Sequence, residues 1–348
     1  MYCFNPPSVT REVVQLKCVK QPKKKISVDH EDRRKNRPVK IDRFYQHVEI
    51  MARDSNHFFS KEYKELKAMA PSFSASASES QESRLKNRYT NILPYDHSRV
   101  KLLPMDDEDG SDFINANYIP GYNSKREYIA AQGPLPSTKD DFWRMIWELN
   151  VSVVVMLTQC VERGKRKCEC YWPESVKEPV YFGDLSIETE NESHLPEYVL
   201  RTISITLGSV KKYLKHFLYI AWPDMGVPSS SNSMIQLVKT VRSNVDPTMK
   251  GPITVHCSAG VGRTGTFIAV DILLHQLDDD NNEIDIFGDV LKLRHHRCNM
   301  VQTEDQYVFI HHCLSDYILA LAEDTDEEDA YDGGDDAVYQ NVPRRGFD

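Results

Sequence analysis

Cys257 and Arg263 are the residues of this chain most clearly spaced to do chemistry. They stand six positions apart in "ITVHCSAGVGRTG", residues 253–265, with Gly260, Gly262 and Gly265 around them. An apolar strand-like run precedes the cysteine, and the helical stretch "TGTFIAVDILLHQL" follows the arginine. A strand that enters a Gly-rich turn opening a helix converges backbone N–H groups on one point. Here those would be the groups of Ser258, Ala259, Gly260, Val261 and Gly262, with the positive end of the helix behind them. Such a cradle binds phosphate or a mimic, and a guanidinium adds a fork of donors matched to it. A thiol at the mouth of an anion site ionises more readily than a free one. Cys257 therefore reads as a nucleophile aimed at phosphorus.

Three other readings explain less. A nucleotide-binding loop would carry Lys where Arg263 stands. A metal site would need partners, yet Cys168 and Cys170 are one residue apart and no C-x₂-C pair follows. No metal and no cofactor is expected. An inert buried cysteine leaves the glycines and the arginine unexplained.

The elements that must position this loop are legible in part. "GPITVHC" and "VSVVVMLTQ" are continuous runs rich in β-branched residues, as in strands covered on both faces. "DFINANYI" and "REYIAAQ" read as strands, and "YVLRTISITLG" and "KHFLYIAW" alternate like an antiparallel pair. "IDRFYQHVEIMARD" places Ile41, Phe44, Val48 and Met51 on one helical face. "STKDDFWRMIWELN" predicts a helix that starts at Ser137 or Thr138, with a box-like pair of Thr138 and Asp141 and an apolar face of Phe142, Ile146 and Leu149. "SFSASASESQES", residues 72–83, reads as a flexible polar loop. Strands and helices interleave, so the class is α/β with a mixed sheet flanked by helices.

His256-Cys257-Ser-Ala-Gly-Val-Gly-Arg263-Thr264-Gly265 resembles the active-site signature of protein tyrosine phosphatases, and the resemblance extends over residues 39–322. It implies the cysteine-based phosphatase fold, a single domain around a highly twisted mixed sheet. It also implies roles for residues that composition alone would pass over. In "WPDMGVP", Asp224 after Trp222 and Pro223 resembles the family's mobile acid loop, giving a general acid and then a general base. "KNRYTNILPYD" resembles the substrate-recognition loop. Tyr89 there would stack on the phosphotyrosine ring and make the slot too deep for serine phosphate. Asn91 stands where members often have Asp to hold the substrate backbone. "MVQTEDQY" resembles the loop that positions water, so Gln302 would orient it and Gln306 would assist. "VERGKRKCECYWP" resembles the loop whose Glu162 orients Arg263 and whose Lys167 reaches toward the acid loop. His256 would tune the surroundings of Cys257, and Thr264 would hydrogen-bond the departing thiolate. Asn299 stands where some members have Gly.

With "NRPVKIDRFYQHVEIM" and the tail ending "VYQNV", the chain most resembles receptor-type members with a single cytoplasmic phosphatase domain. An active enzyme on phosphotyrosine proteins is thus expected. A phosphotyrosine-binding protein without catalysis would lack Asp224, Cys257 or Arg263, and all three are present. A phosphoinositide phosphatase would not need the deep slot that Tyr89 implies.

The chain ends differ in charge from the middle. The net charge of 348 residues is −9. Residues 1–43 hold 12 Lys/Arg against 5 Asp/Glu, and residues 323–348 hold 2 against 10. Residues 1–38 are expected to be a disordered basic arm, suited to a solvated linker or an anionic membrane surface. Residues 323–348 are expected to be a disordered acidic tail. Its Tyr331 and Tyr339 lie among acids, and "YQNV" resembles a docking site for phosphotyrosine-reading adaptors. The middle has no nucleic-acid face. No run approaches the ~18 apolar residues of a membrane-spanning helix, and no secretory signal opens the sequence. Eight sparse cysteines fit reduced thiols, so a cytoplasmic setting is expected, as a soluble protein or as the cytoplasmic part of a receptor.

Overall fold

The structure is a computed structural model. It describes residues 37–105, 109–245, 251–279 and 281–332, with side chains through Glu323. In chain order come β1 (Val39–Lys40), α1 (Ile41–Met51), α2 (Arg53–Met69), α3 (Ser76–Glu79) and α4 (Gln81–Arg84). Next are β2 (Arg99–Lys101), β3 (Phe113–Ile119), β4 (Tyr128–Ala131), α5 (Lys139–Glu148) and β5 (Val153–Met156). A small hairpin, β6 (Val161–Glu162) and β7 (Lys165–Arg166), precedes β8 (Val180–Phe182), β9 (Leu185–His194), β10 (Tyr198–Leu207) and β11 (Val210–Tyr219). The last elements are α6 (Ser231–Ser243), β12 (Ile253–His256), α7 (Gly262–Asp278), β13 (Glu283–Ile284), α8 (Ile286–His296) and α9 (Glu304–Asp332).

Nine strands form one mixed sheet in the order β2-β3-β4-β12-β5-β11-β10-β9-β8. Its centre, β4, β12, β5 and β11, is parallel, and the outer pairs are antiparallel. The α/β class with a mixed sheet flanked by helices is what the interleaved pattern predicts.

Side chains alternate across each strand, and each face has its own core. Val153 and Val155 of β5 and Ile253 and Val255 of β12 pack with α6, α7 and α8. Val154 and Met156 pack on the opposite face with Phe142 and Trp143 of α5. Residue His256 follows the second face and meets Phe142 edge-on, ring centroids 5.7 Å apart. Because the period is two, a one-residue slip of β12 would turn His256 into the wrong core. The strand register therefore fixes the direction in which the chain leaves β12 at Cys257. Helix α7 is buried nearly all round, as befits a helix that leads from the middle of the sheet.

Several local expectations meet a different outcome. The Ser-rich segment holds two helical turns, α3 and α4. Asp96 caps α3 from twenty positions downstream, accepting from the Ser76 and Ala77 N–H groups at 2.8 and 3.0 Å. Ser80 caps α4 by accepting from the Ser83 N–H at 3.2 Å. Thr138 does not pair with Asp141. Its Oγ1 accepts from the Leu135 N–H at 2.9 Å, while Asp141 meets Lys86 and Arg144 at 3.0 and 3.1 Å. The first helix ends at Met51 with Ala52 as its cap, and it does not run on through Asp54, because Asp54, Ser55 and Asn56 form a left-handed kink near the start of α2, with φ of 52°, 56° and 66°.

Arg37–Ile318 form one unit, and the chain from Leu319 belongs to another. Arg37, placed in the arm by sequence, pairs with Glu65 at 2.5 Å and lies 3.7 Å over the Phe287 ring. The rest of the basic arm lies outside the described residues. The α9 backbone is helical through Asp332, so the acidic segment begins as helix. Adding residues to a formed helix is cheap, and Ala and Glu favour it. Tyr339 and the remainder of the tail lie outside the described residues, as does the side chain of Tyr331.

Candidate active site

Cys257 leaves the C-terminal end of β12, where ligands of parallel sheets are bound. It is buried, and its Sγ accepts from the Gly260 N–H at 3.3 Å. The loop can turn this tightly because of Gly260. Its φ is +71°, and a Cβ there would lie 2.0 Å from the Ala131 carbonyl oxygen. Ala259 and Val261 complete the turn, and Gly262 begins α7.

The loop is held from behind by a residue the sequence reading missed. Arg297 is fully buried. It donates to the carbonyls of Gly260 at 2.8 Å and Ala259 at 3.0 Å, and to Asn117 and Asn115 at 2.7 and 2.8 Å. Burial lowers its proton affinity, and the neighbouring Cys298 and Cys257 thiols oppose that. Holding the carbonyls backward turns the loop N–H groups toward the open side. A signal existed: Asn115 and Asn117 alternate on one face of a buried strand, which calls for a polar partner inside.

Arg263 is fixed in front. It makes a two-pronged pair with Glu162, at 2.6 and 3.0 Å, and donates to Leu157 O at 3.1 Å and Pro223 O at 3.2 Å. Burial pushes the Glu162 carboxyl up, but the Arg263 bonds and charge, Thr158 and the Gln159 N–H together hold it below the usual 4.5. Glu162 is aimed by the β6–β7 hairpin, whose two turn residues, Arg163 and Gly164, have φ of 48° and 70°. Two successive positive φ values make the turn that suits a right-twisted hairpin.

The same hairpin corrects one expectation. Arg163, not Lys167, meets the acid loop: its Nε lies 3.2 Å from the Asp224 carboxylate. Lys167 contributes its carbonyl, which accepts from Ser258 Oγ at 2.9 Å. Trp222 is buried, donates to Gly226 O at 3.1 Å and lies under the Arg263 guanidinium, 5.6 Å from it. The acid loop is thus tied at Pro223, Asp224 and Trp222 to the groups that flank the cradle.

Tyr89 forms the other wall. Ser258 spends its proton on Lys167, so Tyr89 donates to Ser258 Oγ, at 2.8 Å. Its loop is clamped by Arg88, which donates to Gly133 O and Pro134 O at 3.0 and 2.7 Å. Asn91 is exposed in the turn that follows.

Gln302 is exposed, and Gln306 is buried. The Gln306 side chain is committed to the start of α9. Its Oε1 accepts from the N–H groups of Gln302 at 2.9 Å and Thr303 at 3.3 Å, while Thr303 Oγ1 accepts from the Gln306 N–H at 3.2 Å. That is a capping box. Val301 precedes it with φ of 57°, a costly conformation for a β-branched residue. It is held there by bonds from Arg294 at 2.8 Å and Tyr63 at 3.1 Å to its carbonyl. Its own N–H donates to Val261 O at 3.1 Å, and a Cβ on Gly265 would stand 2.4 Å from that nitrogen. Asn299 is also left-handed, at φ of 56°.

His256 is buried and pushed down to about 4 by that burial, so it is neutral. Its Nδ1 donates to Cys257 O at 3.2 Å, which leaves Nε2 to accept from the Tyr171 hydroxyl at 2.7 Å. The Tyr171 oxygen then accepts from His216 Nε2 at 2.8 Å, and His216 Nδ1 faces Arg201 at 3.5 Å. Every tautomer in this chain follows from its partners. Thr264 Oγ1 is buried and has no hydrogen-bond partner among the described residues. Among those residues, no group of three or more His, Cys, Asp or Glu is placed to hold a metal ion.

The chain is similar to known proteins over the same span. The Protein-tyrosine phosphatase family model matches residues 83–316. Mouse "Receptor-type tyrosine-protein phosphatase eta" is 44% identical over 314 residues, covering 89% of this chain and 24% of the relative. Human "Receptor-type tyrosine-protein phosphatase H" is 43% identical, covering 86% of this chain and 27% of the relative. Human "Phosphatidylinositol phosphatase PTPRQ" is 42% identical, covering 82% and 12%. The chain spans about a quarter or less of the length of these relatives. The family's signature and the frame that holds it fall in one matched segment, and the chain belongs to the protein-tyrosine phosphatase family.

Proposed function

We propose that the chain hydrolyses phosphotyrosine in proteins through a cysteinyl-phosphate intermediate. The observation that carries this reading is the arrangement at the end of β12. Cys257 opens the N–H loop, and Glu162 presents the Arg263 guanidinium beside it.

The phosphate dianion sits on the loop N–H groups and Arg263. The Cys257 thiolate attacks phosphorus, and the bond to the tyrosyl oxygen breaks. Asp224 leaves Arg163, takes up a proton from solvent, and gives that proton to the departing phenolate. Water oriented by Gln302 then attacks the phosphocysteine, and Asp224 takes its proton. The Cys257 sulfur leaves as thiolate, received by the unpartnered Thr264 hydroxyl, and phosphate is released. The same fixed donors face the equatorial oxygens in both steps, so the site needs no reorganisation between them. Gln306, committed to the α9 cap, acts by holding the Gln302 backbone. Tyr89 selects tyrosine by depth: a serine phosphate at the mouth of that slot does not reach Cys257.

A phosphoinositide substrate is the second reading, because one relative of 42% identity bears that name. Turnover of phosphotyrosine peptide, phosphoserine peptide and phosphoinositide vesicles separates the readings. Tyrosine peptide is expected to exceed the other two at least a hundredfold. Comparable rates on the lipid would defeat the proposal. Asp224→Ala should slow turnover while retaining bound phosphoprotein, which then identifies substrates by mass spectrometry.

The setting proposed is cytoplasmic. No helix among the described residues is long and apolar enough to cross a membrane. The basic arm would lie on an anionic membrane, and phosphorylated Tyr339 would dock an adaptor. Vesicle co-sedimentation of the intact chain and pull-down with a phosphorylated tail peptide test these two.

A further inference from the structure

Cys160 and Cys170 take no part in the chemistry above, and their thiols are close enough to interact with each other, while the Cys170 thiol donates to Trp172 O at 3.4 Å. The β6–β7 hairpin brings them together. The Cys160 carbonyl accepts from the N–H groups of Lys167 at 2.8 Å and Cys168 at 3.3 Å, closing the hairpin base just beyond β7. The chain then turns, and the Glu169 N–H donates to Pro134 O at 3.0 Å. Cys168 goes into the core, and Cys170 comes back toward Cys160. Both thiols are partly exposed and free. Cys170 also lines a surface groove of about 500 Å³ with Trp172, Pro173 and Tyr181, open to small reagents.

We propose that Cys160 and Cys170 are a reversible disulfide site, separate from Cys257, which peroxide closes across the base of the hairpin that carries Glu162 and Arg163.

The two thiols are unequal in the way such a site requires. The interaction between them pushes the Cys160 thiol down and, with burial, pushes the Cys170 thiol up. Cys160 is thus the attacking thiolate and Cys170 the resolving thiol. The Cys160 sulfur attacks one peroxide oxygen, the O–O bond breaks and hydroxide leaves, giving a sulfenic acid. The Cys170 sulfur attacks that sulfur and loses its proton, and the S–O bond breaks to release water. Two thiols lose two electrons, and one peroxide becomes two waters. A dithiol reverses the reaction. Cys168 does not compete, because it is buried in the core and burial pushes its thiol up. The bridge would tie the two ends of the segment whose Glu162 grips Arg263 and whose Arg163 meets Asp224.

Peptide mapping tests this on the full chain with Cys257→Ser, which removes the reactive thiol of the active site. After hydrogen peroxide and alkylation of remaining thiols, trypsin cuts after Arg163 and Lys167 and separates the two cysteines. The expected product is a Cys160 peptide linked to the peptide that begins at Cys168, with fragmentation placing the bond at Cys170. It should vanish with dithiothreitol and fall at least tenfold in Cys160→Ser and in Cys170→Ser. A bond to Cys168, a sulfinic Cys160 beside a free Cys170, or two reduced thiols after Cys160-independent oxidation elsewhere would each overturn the proposal.

Discussion

Replacing Glu162 with Gln tests how much of the site depends on the placement of one guanidinium. The amide keeps the size of the carboxylate, and its Oε1 can still accept one bond from Arg263. Its NH₂ group faces the second Arg263 nitrogen, donor against donor, where the structure has an acceptor at 3.0 Å. The loss is one charge-assisted bond, ~1.5–3 kcal/mol. If Arg263 must be held for phosphate to be held, that energy appears in the transition state. It corresponds to a fall in kcat/KM of roughly ten- to 150-fold. Turnover of a phosphotyrosine peptide gives the number, and vanadate binding to the same protein shows whether the phosphate site has loosened. Thermal unfolding should move down by no more than about 3–12 °C, since ~1 kcal/mol shifts a domain of this size by about 2–4 °C. A kcat/KM within twofold of the parent, with vanadate affinity unchanged, would refute the idea that Glu162 positions Arg263.

Three further outcomes are expected. Arg163→Ala removes an exposed pair worth ~0.2–1 kcal/mol, so freeing Asp224 should raise turnover by no more than about fivefold, and high salt should abolish the difference. A larger effect that resists salt would mean Arg163 does more than pair with Asp224. Arg297→Lys cannot reach the four acceptors that the guanidinium fork holds, so urea unfolding should show a loss of ~3 kcal/mol or more, and a neutral result would contradict its role behind the loop. Stability should fall as pH drops from about 6.5 toward 4. His216, His256 and His311 are all depressed by burial, His256 to about 4 and His311 to about 3. The unfolded chain therefore takes up protons that the folded one refuses, at ~1.4 kcal/mol per pH unit for each histidine fully engaged. Glu162, held below 4.5, adds a loss below that value. Unfolding temperatures that are flat from pH 7 to 5 would contradict the neutral, buried assignment.

The residues that touch phosphate were legible because their chemistry depends on local spacing. Cys257, the glycines and Arg263 lie within one strand-turn-helix unit, and the continuous β-branched runs of β5 and β12, read as strands covered on both faces, lie at the parallel centre of the sheet. What stayed hidden depends on distance in the chain. Asp96 caps α3 from far downstream, so a segment rich in Ser read as a loop. Arg297 reaches the catalytic loop from just beyond α8, 37 positions downstream of Gly260, and its bonds go to carbonyls and amides, so nothing near it in sequence marks its task. Asp224 met Arg163 and not Lys167 because the left-handed turn at Arg163 and Gly164 decides which hairpin side chain faces the acid loop, and only Gly164 hinted at that turn. Gln306 is expected from sequence only to assist Gln302, and its oxygen is spent on the N–H groups of Gln302 and Thr303 at the start of α9.

The central claim is that Cys257 itself carries the phosphoryl group. Acid quench during turnover of a phosphotyrosine peptide, followed by peptide mapping, tests it most directly. The phosphate should appear on Cys257, accumulate further in Asp224→Ala or Gln302→Ala protein, and be absent from Cys257→Ser. Turnover with no phosphocysteine at any quench time, or phosphate release that survives Cys257→Ser, would contradict it.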